Sequence, residues 1–211
     1  MMIIRANHDI QTHYLYVYSE EIIKEAQDRN QKVIKIEGDS ITERIIRSRI
    51  KSNIQKFIFF NGHGNNSSLF NNEKEPFIEV STSDVFKDTI TFTRACDCLK
   101  ELGKSAIQKG CKSFIGYNKK FWIARHHKYE CTPLNDEVAK PILECSNIVP
   151  IELIKGKTVI EAVNKSHEKS ADYILKLIHS KEPLAIASLQ ALIANDSALD
   201  FEGDSSANIN S

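Results

Sequence analysis

Short apolar blocks alternate along the chain with stretches whose apolar residues recur at helical spacing. The aromatic and β-branched run Tyr14-Leu15-Tyr16-Val17-Tyr18 predicts a strand, and residues 19–30, opened by a Ser cap with Glu behind it, predict a helix. The unit recurs with Val33-Ile34-Lys35-Ile36, a Gly38-Asp39-Ser40 turn, and Ile41, Ile45, Ile46 and Ile50 marking a helix over 41–53. Phe57-Ile58-Phe59-Phe60 is apolar without interruption, as a strand covered on both faces requires, and runs directly into Asn61-Gly62-His63-Gly64. A polar loop follows over 65–72, then a short strand at 77–80 and a helical turn at 83–87. Residues 89–93 predict the next main strand, followed by Ala95-Cys96 and a helix over 97–109 stopped by Gly110. Lys112-Ser113-Phe114-Ile115-Gly116 predicts a further strand. Residues 117–132 break the rhythm and read as a long functional loop. Helices are expected at 133–145, 158–180 and 183–194, an edge strand at 199–204, and a frayed tail at 205–211.

Strands and helices alternating in this order imply an α/β domain with a mostly parallel sheet, helices on both faces, and right-handed crossovers. One domain over 1–211 is expected from the length. The apolar fraction of 41% and charged fraction of 27% are those of an ordinary globular protein. Lys plus Arg and Asp plus Glu both number 28, so no net charge draws the chain to nucleic acid, which is not expected as a direct ligand. The absence of any apolar run fit for a signal peptide or membrane span predicts a cytoplasmic protein, with its five cysteines reduced.

Ligands of open parallel sheets bind beyond the carboxyl ends of the strands, and His63 and Cys96 both stand at such ends. A nearby imidazole and a helix N-terminus lower a thiol toward the thiolate that attacks, so the reading makes His63 the general base and Cys96 the nucleophile. Gly64 brings an unshielded backbone N–H next to the histidine, and with the Cys96 N–H, opening the next helix, it supplies an oxyanion hole. Taken singly, a loop histidine and a buried cysteine are ordinary structural residues; at consecutive strand ends they make a dyad.

The string Phe57 to Gly64 resembles the hydrophobic block plus His-Gly of caspase-like (clan CD) cysteine peptidases, and Phe92-Thr93-Arg94-Ala95-Cys96 resembles their second block plus Ala-Cys. Leu102-Gly103-Lys104-Ser105-Ala106, the segment Gly110 to Tyr117 and the stretch 191–204 are similar to the CHAT branch, which includes relatives of separase and gingipain. The resemblance implies a caspase-hemoglobinase-like three-layer sandwich and a His/Cys dyad working without cofactor or metal. It also implies a protein substrate and a separate activating partner, as in microbial antiviral defence or cell-death systems.

The chain departs from caspases proper, because Arg94-Ala95-Cys96-Asp97-Cys98 replaces the Gln-Ala-Cys-x-Gly string and His63 lies only 33 positions before Cys96. The position two before the nucleophile helps line the specificity pocket in several such families. Arg94 there favours an acidic residue before the cut, unless it pairs with Asp88 or Asp97 as a structural ion pair. Asp97 and Tyr117 complete the expected substrate contacts. Asp84 and Glu79 are candidates to orient His63. Cys98 reads as a structural or resolving thiol, His126, His127, Cys131 and Cys145 fit no common zinc spacing, and the Lys119 to Lys128 stretch reads as a mobile substrate loop. The competing function is a non-enzymatic module of the same fold that binds a partner or small ligand at the strand ends.

Overall fold

The computed structural model describes residues 1–53 and 55–210. Among the described residues eight strands form, in chain order β1 (Met2–Arg5), β2 (Ile34–Glu37), β3 (Phe57–Asn61), β4 (Ser68–Phe70), β5 (Pro76–Glu79), β6 (Ile90–Arg94), β7 (Ser113–Tyr117) and β8 (Leu199–Gly203). Six of them build one sheet in the order β2-β1-β3-β6-β7-β8, parallel except for β8, which runs antiparallel along the β7 edge. The helices are α1 (Ile10–Asp28), α2 (Glu43–Ser52), α3 (Lys104–Gln108), α4 (Lys140–Ile154), α5 (Val159–Ile178) and α6 (Ala185–Asp196).

Strand alternation sorts the core into two layers. Phe57, Phe59, Phe92, Ile115 and Tyr117 face one way and pack with Ile22 and Ile23 of α1, Val149 of α4 and Val163 of α5. Ile58, Phe60 and Phe114 face the other way, against Ile46 of α2, Ala106 of α3 and Leu102 in the turn just before α3. The result is the expected three-layer α/β sandwich with a mostly parallel sheet.

Several elements differ from the sequence expectation, each for a local reason. Residues 14–18 are helical: Asp9 caps α1 in a reciprocal box with Thr12, and Tyr14, Leu15, Tyr18, Ile22 and Ile23 fall on one buried helical face. The first strand is instead the four-residue Met2–Arg5, every residue of it buried between β2 and β3. The polar loop at 65–72 contains β4, half of a small hairpin with β5. Residues 133–135 form only a short 3₁₀ turn, and α4 starts at Lys140, because buried Asp136 folds the chain back on itself. The Asp136 carboxylate takes the Tyr14 hydroxyl at 2.7 Å and the backbone N–H groups of His126 and Val138 at 2.8 and 3.0 Å.

The helix expected over 97–109 divides into a π-turn, Leu99–Gly103, and the short α3. The Gly103 N–H reaches back five residues to the Cys98 carbonyl at 2.9 Å. The tail does not fray over 205–210: Ala207 and Ile209 are buried, and the Ser205 and Ala207 carbonyls take the Ile160 and Val159 N–H groups at the start of α5. Ser211 lies outside the described residues.

Replacing Asp136 by Ala strands a buried tyrosine hydroxyl and two backbone donors. Asp136→Ala is expected to cost about 3 kcal/mol, read as a lower midpoint in urea at unchanged slope. A loss below about 0.5 kcal/mol contradicts the role given to this carboxylate.

Candidate active site

The site is laid out by strand register. β1, β3 and β6 are adjacent and parallel, with Arg5 opposite Asn61 and Asn61 opposite Arg94. Pairing continues one residue further on each strand, since the Ala6 N–H meets Asn61 O at 3.0 Å and the Gly62 N–H meets Arg94 O at 3.3 Å. His63 and Cys96 therefore each stand two residues past a register pair, at the carboxyl ends of neighbouring strands, with the β1 loop bearing His8 and Asp9 on the far side of His63.

Two glycines make this crowding possible. A Cβ on Gly62 would lie 2.9 Å from the Phe60 ring and 3.1 Å from Ala6, and one on Gly64 would lie 2.5 Å from the Cys98 sulfur and 3.0 Å from Ala95. Gly64 faces Leu69 as an isolated antiparallel bridge, flanked by the bonds Phe70 N–H to His63 O and Asn65 N–H to Ser68 O. In such a non-hydrogen-bonded pair the residue's own N–H points away from the partner strand, here away from the hairpin.

His63 finds its orienting partner in Asp9, with Nε2 2.6 Å from Oδ2. Burial opposes ionisation of Asp9, but the Thr12 backbone N–H, the His63 ring and the Thr12 hydroxyl together hold its carboxyl down at about 2. An ionised carboxylate accepts, so Nε2 bears a ring proton, and in the neutral form of the ring the lone pair is then on Nδ1. Sequence reading missed Asp9 because it missed β1. With that strand recognised, Asn7-His8-Asp9 stands at a third strand end beside His63. The expected orienters are elsewhere: Asp84 is held by Arg47 at 2.8 Å, and Glu79 caps the 3₁₀ turn that follows β5. Asp9, Gln11, His63, Phe70 and Lys74 line an open cleft of about 470 Å³.

Cys96 is half-buried against the 117–132 loop. The Phe121 N–H donates to its sulfur at 3.4 Å, and the Lys119 carbonyl accepts the Asp97 N–H at 3.1 Å. Burial pushes the thiol up from its ordinary value and neighbouring Asp97 adds to this, outweighing the Phe121 N–H and Lys120. No regular helix N-terminus follows to oppose the shift, because Asp97 adopts φ +57° and the chain enters the π-turn. The direction is opposite to that of the activated thiol expected from the sequence, and in this conformation the surroundings favour the SH form of Cys96. The loop across it is not free either: the Asn195 side chain on α6 takes the Trp122 N–H at 2.8 Å and donates to the Trp122 carbonyl at 2.7 Å.

Of the three expected substrate contacts, Arg94 and Tyr117 are buried, and Asp97 is partly exposed next to Cys96. Arg94 shares the helical face with Phe92, fully buried, its guanidinium 5.3 Å from the centre of the Phe59 ring and bonded to Asn147 Oδ1 at 2.6 Å. It pairs with neither Asp88 nor Asp97, and burial pushes it down to about 10, leaving it charged at neutral pH. Tyr117 is also buried, its hydroxyl on Ser146 at 3.0 Å and its ring against Phe121. Asp97 holds Lys100 at 2.6 Å. Buried Cys98 donates to the Cys96 carbonyl at 3.2 Å, which supports its structural reading.

The backbone matches solved structures. The Arg-specific cysteine proteinase gingipain R aligns with 98% of this chain and 46% of its own at TM-score 0.60 and 13% identity. The fold is caspase-like. The complex of Porphyromonas gingivalis RgpB pro- and mature domains aligns with 97% of this chain and 47% of its own at TM-score 0.60 and 11% identity. A third structure, described only as a protease, aligns at TM-score 0.54 and 10% identity over 98% of this chain and 48% of its own. The chain thus spans just under half the length of the structures it matches, and identities this low carry the fold alone. No family model and no curated protein matches the sequence.

If the Asn195 clamp keeps the loop on Cys96, Asn195→Ala is expected to raise the iodoacetamide rate of Cys96 about tenfold at pH 7.5, as measured by peptide mapping. In the unmutated chain that rate should climb with pH and reach half its plateau above the ordinary thiol value of about 8.5. A midpoint near 7 contradicts the protonated thiol.

Proposed function

We propose that this chain is a caspase-like cysteine endopeptidase in which Asp9, His63 and Cys96 act as a triad. The observation that carries the reading is the arrangement of carboxylate, imidazole and thiol on three adjacent strand ends, with the imidazole central and its Nε2 2.6 Å from the carboxylate. That polarity leaves Nδ1 as the proton acceptor for the thiol.

In the proposed cycle, His63 Nδ1 takes the Cys96 proton as the sulfur attacks the scissile carbonyl carbon. The new C–S bond leaves a tetrahedral oxyanion for the Gly64 and Cys96 N–H groups. Collapse breaks the C–N bond, and the amine departs with the proton from His63, leaving a thioester. Water then attacks the thioester, giving His63 a proton that returns to sulfur as the acid product leaves. Asp9 keeps the imidazole in the required tautomer and balances its charge while it is protonated.

The protonated, loop-held thiol supports a zymogen-like resting state. The reading assigns activation to a partner protein that lifts residues 119–122 off Cys96, and it keeps the chain in the CHAT branch, working in the cytoplasm within a microbial defence or cell-death system. Among the described residues no helix is long and apolar enough to cross a membrane. An acidic preference before the cut is not retained for Arg94, whose guanidinium has no access to the cleft.

N-terminal peptide profiling of a host lysate treated with the chain tests the proposal. New protein termini should appear with the unmutated chain or Asn195→Ala and vanish with Cys96→Ala and with His63→Ala. Asp9→Asn should lower kcat roughly ten- to a hundredfold with little change in KM, through loss of the correct tautomer. A folded Cys96→Ala variant that yields the same termini rejects the peptidase and favours the binding-module reading.

A further inference from the structure

His8 has no part in the cycle above, yet its side chain lies against the site with its hydrogen-bonding capacity unmet. Its side chain is 11% exposed, and neither ring nitrogen has a hydrogen-bond partner among the described residues. A neutral imidazole always carries one N–H and one lone pair, so both are stranded, an arrangement native structures rarely keep without a reason. Its Nε2 stands 3.5 Å from Asp9 Oδ2, the same oxygen that meets His63 Nε2, and the two imidazole rings cross edge to face at 5.4 Å. Among the described residues His8, Asp9 and His63 form the one group of three or more metal-ligating side chains, with ligand atoms all within 4.8 Å of one another.

We propose that His8, Asp9 and His63 bind a divalent ion of the zinc class, which switches the His63 ring proton from Nε2 to Nδ1. Two imidazoles and one carboxylate are ligands zinc accepts, leaving a fourth position for water. Bond lengths of about 2.0–2.2 Å place tetrahedral ligands roughly 3.3–3.5 Å apart. The His8–Asp9 separation already fits, and the His63–Asp9 pair opens by under about 1 Å when the proton between them is replaced by the metal. Asp9 Oδ1 stays anchored on the Thr12 N–H at 2.8 Å, so only Oδ2 need turn to the ion.

No proton is lost in the exchange. The one on Nε2 passes through water to Nδ1 as the Nε2 lone pair becomes the metal ligand. Under the triad reading above, on which this consequence rests, the ion disables the base without touching the thiol, because Nδ1 then has no lone pair for the Cys96 proton. The expectation of a metal-free site, which followed from family resemblance, considered only clusters spaced closely in sequence and so passed over one assembled across two strand ends.

Zinc titration by calorimetry and cobalt absorption, both on the full chain with Cys131→Ser to remove an exposed thiol, test the site. One ion per chain is expected, with d–d bands of a four-coordinate ion and no thiolate charge-transfer band. Affinity should survive Cys96→Ala and fall roughly a hundredfold in His8→Phe, which keeps the ring packing without the nitrogens. Histidine ring ¹⁵N spectra should show the His63 proton moving from Nε2 to Nδ1 on zinc addition. Equal affinity in His8→Phe, loss of binding in Cys96→Ala, or an unmoved His63 proton overturns the proposal. A zinc-free Asn195→Ala chain, its loop released, that cleaves nothing in the host lysate while these signatures hold rejects the peptidase reading instead, and leaves the metal site standing.

Discussion

The in-register parallel pairing of β1, β3 and β6 is the constraint on which the rest of the site depends. Arg5, Asn61 and Arg94 stand side by side, and one further backbone bond on each strand carries the alignment into the loops. Parallel strands send their carboxyl ends in one direction, so loops of two to four residues place Asp9, His63 and Cys96 along a single edge. A slip of one residue in either pairing would turn the apolar sets Phe57/Phe59 and Ile58/Phe60 to the wrong faces, which is why the buried core holds the chemistry in place. Gly62 and Gly64 are the local cost of that convergence, since no side chain fits where the turns meet Ala6, Ala95 and Cys98.

The same strand ends carry two opposed tendencies. Asp9 is ionised and pinned by Thr12, so His63 is oriented at rest. Cys96 is the reverse, buried under the Phe121 backbone with its thiol pushed up. In the proposed reading an oriented base and a masked nucleophile need a loop displacement to work together; the loop is tied by the Asp97–Lys119 backbone bond and by Asn195, bonded at both ends to the Trp122 peptide groups. The long connection between β7 and α4 thus acts as a tied strap.

Much of this was legible in the sequence. The unbroken apolar run at 57–60 and the alternating β-branched and aromatic run at 89–93 identified the two central strands and the fold class, and placed His63 and Cys96 at neighbouring strand ends. What was not legible has physical causes. Residues 14–18 have strand composition but lie behind an Asp9–Thr12 box, and the helix face they form is completed only by Ile22 and Ile23. The true first strand is four residues long, too short for periodicity to register, and missing it hid His8 and Asp9. Arg94 was placed by position relative to the cysteine, whereas strand alternation sends it under α1 and α4 to Asn147, itself bonded to the Tyr18 carbonyl and to Glu21. A polar side chain in the last turn of a buried strand gives no sign in sequence of which face it takes.

The central claim is that Cys96 becomes acylated with His63 as its base, and trapping that intermediate tests it most directly. The Asn195→Ala chain would be mixed with a peptidyl acyloxymethyl ketone or an activated peptide ester, quenched in acid, and mapped by mass spectrometry. The account predicts a thioester or thioether on Cys96 alone, formed at least a hundredfold more slowly in a folded His63→Ala chain. Modification spread over Cys131 and the other thiols, or a Cys96 adduct that forms at the same rate without His63, would contradict it.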